Sequence, residues 1–348
     1  MSADGPWHPW QSLPFPADGP GAGLEYPADA DRFHVEELPL YEPCGEGEHL
    51  YLDIEKRELD TPGLAALIAA RLGLPAASVG WAGRKDRNAT ARQRLSVPRR
   101  ESEGRLDALE DPRLRLLGAS PHRNKLRLGH LRGNRFRLLL RGSAPLGPLR
   151  EALDALVATG MPNYFGPQRF GLEGDNHQRG RALLGTPNAR RGRAQRFLHS
   201  AFQSSLFNRV CAARAAAGPG LLDGDLAWIH AKGAVFRVED LSAEAPRAER
   251  LEISASGPLP GRQMLLPADA AGELEARELA LGGWREEFGR QLRGGRRPLR
   301  IPLLEASLEA YDEGAQLTVT LPPGSYASVL LACLGLRVPA GGRDSEED

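Results

Sequence analysis

The amino-acid sequence predicts a protein of mixed helical and strand structure, organised in two domains. The chain has 348 residues, and one domain commonly takes about 100 to 200 residues. Segments in which apolar and polar residues alternate indicate half-buried strands, and apolar residues three or four positions apart indicate amphipathic helices. Both patterns recur along the chain. At Met161 the composition changes to a loop rich in aromatic residues, glycine and proline, where we expect the second domain to begin.

Apolar periodicity locates the main elements. Short strands are predicted at 33–38, 50–55, 93–97, within 228–238, and at 317–321. Helices are predicted at 61–72, 149–159, 194–217, 271–281 and 325–334. In the first helix, Thr61 is predicted as the N-cap, Pro62 as the first helical residue and Gly73 as the stop.

A β-hairpin is predicted from residues 125–128 and 135–138, joined through 130–134. In both segments leucine or phenylalanine alternates with lysine or arginine, so the hairpin would have one apolar and one basic face. A basic face with an interleaved aromatic residue suits contact with a phosphate backbone. A plain solvated sheet face is the alternative.

Charge is segregated along a chain whose formal net charge is zero. Residues 1–60 hold 3 basic and 14 acidic residues, whereas residues 81–141 hold 17 basic and 6 acidic residues. Such a concentrated basic stretch is typical of nucleic-acid binding. We expect 1–27 to form an irregular leader and 341–348 an acidic tail.

Composition excludes several classes of protein. The three cysteines are far apart, so no disulfide framework is expected and a reducing cytoplasm is favoured. No apolar run approaches the ~18 residues of a membrane span, and the N-terminal segment does not have the pattern of a signal peptide. The eight histidines lack metal-ligand spacing, and no phosphate-binding or dinucleotide-binding glycine motif is present.

The stretch from Ser78 to Pro98 carries the clearest chemical signal. Its single carboxylate, Asp86, is accompanied by five basic residues, which are Arg84, Lys85, Arg87, Arg92 and Arg94. One interpretation is a surface loop with ion pairs of little energetic value. The other is a carboxylate kept ionised by cations at the floor of a cleft that binds a polyanion, where covalent carboxylate chemistry on RNA is possible.

Four motifs in order resemble those of the tRNA pseudouridine synthase D (TruD) family. Gly83-Arg-Lys-Asp86 is similar to the Gly-x-Lys-Asp signature of that family, and residues 122–136 resemble its second motif. The segment Asn163-Tyr-Phe-Gly-Pro-Gln-Arg-Phe-Gly171 resembles the third motif and is the most distinctive. Residues 321–328 resemble the last, with tyrosine at position 326 where the family usually has phenylalanine. The resemblance extends from about residue 33 to residue 335.

This resemblance implies a fold, a reaction and a partner. The fold would be of the α+β class: a pseudouridine synthase core of a mixed, mainly antiparallel sheet with flanking helices, formed by 1–160 and 303–348. An α/β domain at 161–302 would be inserted in it. The reaction would be the isomerisation of uridine 13 of tRNA to pseudouridine, which requires no metal, nucleotide or redox cofactor. We expect a cytoplasmic monomer that acts on tRNA without an obligate protein partner.

The resemblance also implies roles for individual residues. Asp86 would be the nucleophile and would attack either the ribose or the base. Phe136 would receive the flipped-out uridine on an aromatic face, with Tyr326 and Phe33 nearby, and Asn134 would read the uracil edge. Plain core packing is the alternative for Phe136 and Phe33.

One position departs from the family pattern. A lysine that the family commonly has near the catalytic aspartate corresponds here to Pro27, and we expect Arg32 or Lys85 to substitute for it. Two other classes compete with the synthase: an RNA-binding protein that kept the fold without catalysis, and a carboxylate-based nucleoside hydrolase that releases free uracil.

Overall fold

The structure, a computed structural model, describes residues 7–184 and 192–339. Its strands are β1 (Phe33–Pro39), β2 (His49–Lys56), β3 (Gly80–Trp81), β4 (Thr90–Pro98), β5 (Leu114–His122), β6 (Leu131–Arg141), β7 (Met161–Pro162), β8 (Leu226–Ile229), β9 (Ala234–Arg237), β10 (Ile253–Leu259), β11 (Gly295–Pro298), β12 (Arg300–Ile301), β13 (Leu304–Tyr311) and β14 (Gly314–Leu321). Its α-helices are α1 (Thr61–Leu72), α2 (Arg99–Ser102), α3 (Leu146–Thr159), α4 (Asn176–Leu183), α5 (Arg193–Ala217), α6 (Leu241–Glu249), α7 (Asp269–Leu281) and α8 (Ala327–Cys333). Short 3-10 helices cover Ala76–Ser78, Glu103–Leu109, Pro167–Phe170 and Glu286–Gln291.

An eight-stranded sheet forms the centre of the protein. Its strand order is β13-β14-β6-β1-β4-β2-β5, and β3 pairs with β4. The β1–β4 pair is parallel, and the other pairs of this sheet are antiparallel. A second sheet, β11-β10-β8-β9, is antiparallel, and β7 pairs with β12. The predicted α+β class, with a mixed and mainly antiparallel sheet, is confirmed.

Helix α1 packs on the eight-stranded sheet as its apolar stripe predicts. Leu64, Ile68 and Leu72 are fully buried against the apolar side of β2. The helix ends at Gly73, which has a φ of 68° and so takes the left-handed conformation that glycine tolerates. At the other end the N-cap is Asp60, whose Oδ1 accepts a hydrogen bond from the Gly63 amide at 2.6 Å.

The predicted N-cap, Thr61, is therefore wrong by one residue. Its side chain is fully buried, and its Oγ1 donates to Gln93 at 3.0 Å and accepts from the Lys85 amide at 2.8 Å. The hydroxyl is used to hold a neighbouring loop and is not free to cap the helix.

The predicted hairpin between 125–128 and 135–138 is also wrong. Strand β6 pairs with β1 on one side and β14 on the other, so neither of its edges is free for residues 125–128. Those residues lie in the connection between β5 and β6, where Leu126 is buried and Leu128 is 70% exposed.

The described part of the leader, residues 7–27, has no helix or strand but packs against the core. Trp10 and Leu13 are buried in one apolar cluster with residues of β6 and α8, and the Asn208 side-chain amide donates to the Pro9 carbonyl at 2.8 Å. The predicted acidic tail, 341–348, lies outside the described residues.

One buried ion pair provides a test of the packing around α5. Arg214 donates to both carboxylate oxygens of Asp225, each at 2.8 Å, and both side chains are buried. We expect Asp225→Ala to lower the free energy of unfolding by about 3–5 kcal/mol, because a buried guanidinium loses its partner. Urea unfolding measures this effect. The exposed Arg99–Glu103 pair supplies the control: Glu103→Ala should leave the urea midpoint unchanged. Equal shifts in the two variants would contradict the prediction.

Candidate active site

Asp86 lies in the loop between β3 and β4. Its side chain is half-buried, and its Oδ1 accepts a hydrogen bond from the Asn88 amide at 2.9 Å. Within 7–184 and 192–339, no donor is bonded to its Oδ2. One carboxylate oxygen is thus tied to the backbone of the loop.

Lys56, which the sequence analysis did not single out, hydrogen-bonds to the backbone of the Asp86 loop. Lys56, at the end of β2, is fully buried, and its Nζ donates to the backbone carbonyls of Asp86 and of Ala89, the latter at 3.1 Å. Burial lowers the pKa of Lys56 to about 8, against the opposing effect of the Asp86 and Asp60 carboxylates. A signal was present in the sequence, since Lys56 continues the alternation of Leu50, Leu52 and Ile54 on the apolar side of the strand.

Lys85 makes a second buried contact, with Glu37 of β1. Its Nζ lies 2.5 Å from Glu37 Oε2, and the two side chains are only 3% and 2% exposed. Burial lowers the pKa of Lys85, and the Glu37 carboxylate opposes that change. A Cβ at Gly83 would lie 3.1 Å from Lys85 Nζ and 3.2 Å from Glu37 Oε2, so a larger residue there would press on this buried pair. Lys85 therefore pairs with Glu37, while its amide bonds to Thr61.

Three of the predicted substrate-binding residues share one face of the sheet. Phe136 lies opposite Val35 and Asn134 lies opposite Glu37 in the β1–β6 register. The Phe33 and Phe136 rings meet edge to face, with centroids 6.0 Å apart. Because side chains alternate along a strand, Phe33, Asn134 and Phe136 lie on the side that carries the Glu37–Lys85 pair.

The two rings have packing partners, whereas the Asn134 side-chain oxygen does not have a hydrogen bond among the described residues. Phe136 is 8% exposed and belongs to the main apolar cluster, and Phe33 packs against that cluster. The Asn134 Oδ1 is buried and has no hydrogen-bond partner among the described residues. Core packing of the rings is thus present, and their contact with a substrate stays a prediction.

Tyr326 and Arg32 have other partners in the structure. Tyr326 follows the end of β14, where Leu321 lies opposite Asn134, and its ring contacts that of Phe165 at a centroid distance of 6.0 Å. The Arg32 guanidinium pairs with Glu25 at 3.1 Å and with Asp29 at 2.8 Å. The structure does not join either residue to Asp86, and their roles toward a substrate stay predictions.

Several arginines of the basic stretch, residues 81–141, lie on the face of the sheet opposite to the one that carries Glu37. Arg92 pairs with Glu55 at 2.9 Å, and Arg94 pairs with Asp53 at 2.7 Å. Arg135 of β6 likewise contacts Glu305 at 2.8 Å. These guanidinium groups do not surround Asp86. The Lys56 ammonium does reach the loop, through hydrogen bonds to the backbone carbonyls of Asp86 and Ala89.

Other candidate sites are few. In the described ranges, no group of three or more histidine, cysteine, aspartate or glutamate residues is arranged to hold a metal ion. None of the helices described there has the length and apolarity to cross a membrane. A cavity of about 290 Å³ between α3, α5 and β12 is lined by residues that include Arg214 and Arg300, and Asp86 does not line it.

Comparison with solved structures identifies the fold. The chain resembles the crystal structure of the putative tRNA pseudouridine synthase D from Methanosarcina mazei, with a TM-score of 0.68 over 93% of this chain and 94% of that one. The two sequences are 21% identical. The two chains therefore share one fold.

Comparison of sequences identifies the family. The family model described as tRNA pseudouridine synthase D (TruD) matches residues 13–190 and 191–333. A relative of that name from Thermus thermophilus is 45% identical over 321 residues, which cover 90% of this chain and 89% of the relative. Another relative of that name, from Geobacter metallireducens, is 38% identical, and the match covers 93% of this chain and 96% of the relative. The chain belongs to the tRNA pseudouridine synthase D family, which confirms the resemblance found in its motifs.

The buried Glu37–Lys85 pair predicts a pH-dependent loss of stability. We expect Glu37→Gln to lower the free energy of unfolding by about 3–5 kcal/mol at pH 7, because the Lys85 ammonium is left buried without its partner. The pKa of Lys85 would then fall further below its ordinary value. At a pH between the lowered pKa of Lys85 in the folded variant and its ordinary pKa in the unfolded chain, the unfolded chain binds the proton and the folded chain does not. The stability of the variant therefore rises with pH in this range. The deficit should therefore shrink toward pH 9.

Urea unfolding at pH 7 and pH 9 measures this change. Glu36→Gln is the matched control, because Glu36 is the preceding residue of β1 and its side chain is 44% exposed. A deficit in Glu37→Gln that is the same at both pH values would contradict the prediction.

Proposed function

We propose that this protein converts uridine 13 of tRNA to pseudouridine, with the Asp86 carboxylate as the nucleophile. The observation that carries the proposal is the local geometry of Asp86, whose Oδ2 is unbonded among the described residues while the loop around it is held by two buried lysines. Membership of the family and the names of the relatives from Thermus and Geobacter support the substrate and the reaction.

The reaction balances without a co-reactant. The bond between N1 of uracil and C1′ of ribose breaks, the base turns, and a bond forms between C5 and the same C1′. The hydrogen on C5 leaves as a proton and N1 gains a proton, so the atoms and electrons of uridine and pseudouridine are equal. Asp86 attacks the ribose or the base to make the covalent intermediate, and it is regenerated when the carbon–carbon bond has formed.

Three residues on the Glu37 side of the sheet are suited to receive the base. Removing a uridine from its stack in the RNA costs a few kcal/mol of free energy, and contact of the base with aromatic rings helps to offset that cost. The pair of rings at Phe33 and Phe136 offers such a surface. Within the described part of the chain, the Asn134 Oδ1 is a buried acceptor without a partner, and the N3–H of uracil is a donor that would satisfy it. We also propose that Lys85, Tyr326 and Arg32 contribute to substrate binding.

The domain division is part of the same proposal. The eight-stranded sheet is built from residues 33–141 and 304–321, and the four-stranded sheet from residues 226–298. This separation supports a synthase core of 1–160 and 303–348 with an inserted domain at 161–302. We also propose tRNA as the partner, the cytoplasm as the compartment and a monomer as the active form.

Removal of the nucleophile tests the mechanism. We expect Asp86→Asn to lower the rate of pseudouridine formation in tRNA by at least about 10³-fold, because the amide cannot form the covalent intermediate. Affinity for tRNA should be retained. Asp107→Asn is the control, because Asp107 is exposed and belongs to the 3-10 helix Glu103–Leu109, which is not part of the Asp86 loop.

The same assay distinguishes the competing classes. Pseudouridine is mapped in tRNA incubated with each purified protein, and free uracil is measured in the supernatant. Release of uracil by the unaltered protein would indicate a hydrolase. Absence of any turnover together with tight tRNA binding would indicate a binding protein without catalysis.

The position of modification is a separate prediction. We expect a tRNA transcript with uridine at position 13 to gain one pseudouridine there, and a transcript that differs only by cytidine at position 13 to gain none. Mapping at single-nucleotide resolution measures both. Equal modification of the two transcripts at another uridine would overturn the assignment of position 13 while leaving the reaction class intact.

A further inference from the structure

We propose that Lys56 is a positioning residue for the reaction, because it fixes the backbone of the loop that carries Asp86. The proposal rests on the role of Asp86 as the nucleophile given above. Lys56 acts through the loop and does not touch the substrate.

The location of Lys56 is costly for the fold. It is the last residue of β2, its neighbours across the sheet are Ala91 and Leu114, and its side chain is fully buried. Burying an ammonium group costs several kcal/mol before its partners compensate, and an apolar residue would pack there without that cost. A residue that is expensive to bury, next to a reactive group, is typical of a functional site.

The contacts of Lys56 are with the main chain of the loop. Its Nζ donates to the carbonyl of Asp86 and to that of Ala89, which is three residues further along. These bonds tie both ends of the segment 86–89 to one atom anchored in the sheet. The Asn88 amide then holds Asp86 Oδ1 at 2.9 Å within the same segment. The position of the carboxylate relative to the sheet therefore depends on Lys56.

The charged groups around Lys56 set the conditions for this contact. The Asp86 and Asp60 carboxylates favour its ammonium form, whereas burial and the Lys85 ammonium favour the neutral amine. Burial dominates, and the pKa of Lys56 falls to about 8. An ammonium has three N–H donors, and its bonds to carbonyls are stronger than those of a neutral amine. The hold on the loop should therefore weaken as the pH rises through that value.

A change of rate without a change of affinity distinguishes positioning from a general structural role. We expect Lys56→Met to lower the single-turnover rate of pseudouridine formation by about 10- to 100-fold, since displacement of a reacting group by about 1 Å can cost on the order of 10²-fold. The dissociation constant for tRNA is compared between the Asp86→Asn variant and the double variant that also carries Lys56→Met, because neither turns over the substrate. The two constants should be equal.

The control for reduced stability is Asp225→Asn, which weakens the buried ion pair between Asp225, just before β8, and Arg214 of α5. It should keep the unaltered single-turnover rate at a temperature where circular dichroism shows both variants folded. A Lys56→Met protein with the unaltered rate would overturn the proposal. A loss of rate matched by an equal loss of tRNA affinity would also overturn it.

The pH dependence of the single-turnover rate is a second measurement. It is the deciding test in case the Lys56→Met variant does not fold. The single-turnover rate of the unaltered protein should fall above about pH 8, whereas Lys56→Arg, which stays protonated, should lack that fall. Titration of the substrate affects both proteins equally. Coincident profiles would overturn the role of Lys56. If the unaltered protein forms no pseudouridine at any pH, the proposed function fails instead.

Discussion

The loop that carries Asp86 depends on two ammonium groups that the fold removes from water. Lys85 finds a carboxylate, Glu37 of β1, and Lys56 finds two backbone carbonyls of the loop. A buried cation without such oxygen atoms would be destabilising, so each lysine restricts the backbone to positions where its acceptors are within reach. The loop thereby acquires a defined geometry although it contains no helix or strand of its own.

The two faces of the central sheet divide the charged residues between them. On one face Phe33, Asn134 and Phe136 accompany the Glu37–Lys85 pair beneath the Asp86 loop. On the other face arginines such as Arg92 lie next to carboxylates at ion-pair distance. Because successive side chains of a strand point to opposite faces, a run of basic residues in the sequence is divided between two environments. The basic stretch of residues 81–141 is therefore not one continuous surface.

Local patterns were most informative where local energetics decides the structure. The stripe of Leu64, Ile68 and Leu72 predicted α1, because one apolar face at helical spacing has to be buried. The Gly-x-Lys-Asp motif, with three others in order, predicted the family, which the family model confirms. The predicted hairpin failed because β6 pairs with β1 and β14, and that choice is made by strands far away along the chain on either side.

The family and the class of fold could be read from the amino-acid sequence, because ordered motifs and apolar periodicity are properties of the chain alone. The same motifs predict Asp86 as the catalytic carboxylate. Which charged groups meet depends on how the chain folds. Lys56 and Asp86 are 30 positions apart, and Lys85 and Glu37 are 48 apart. Contacts over such separations depend on which strands become neighbours and on what burial leaves unpaired, and neither is written in a local pattern.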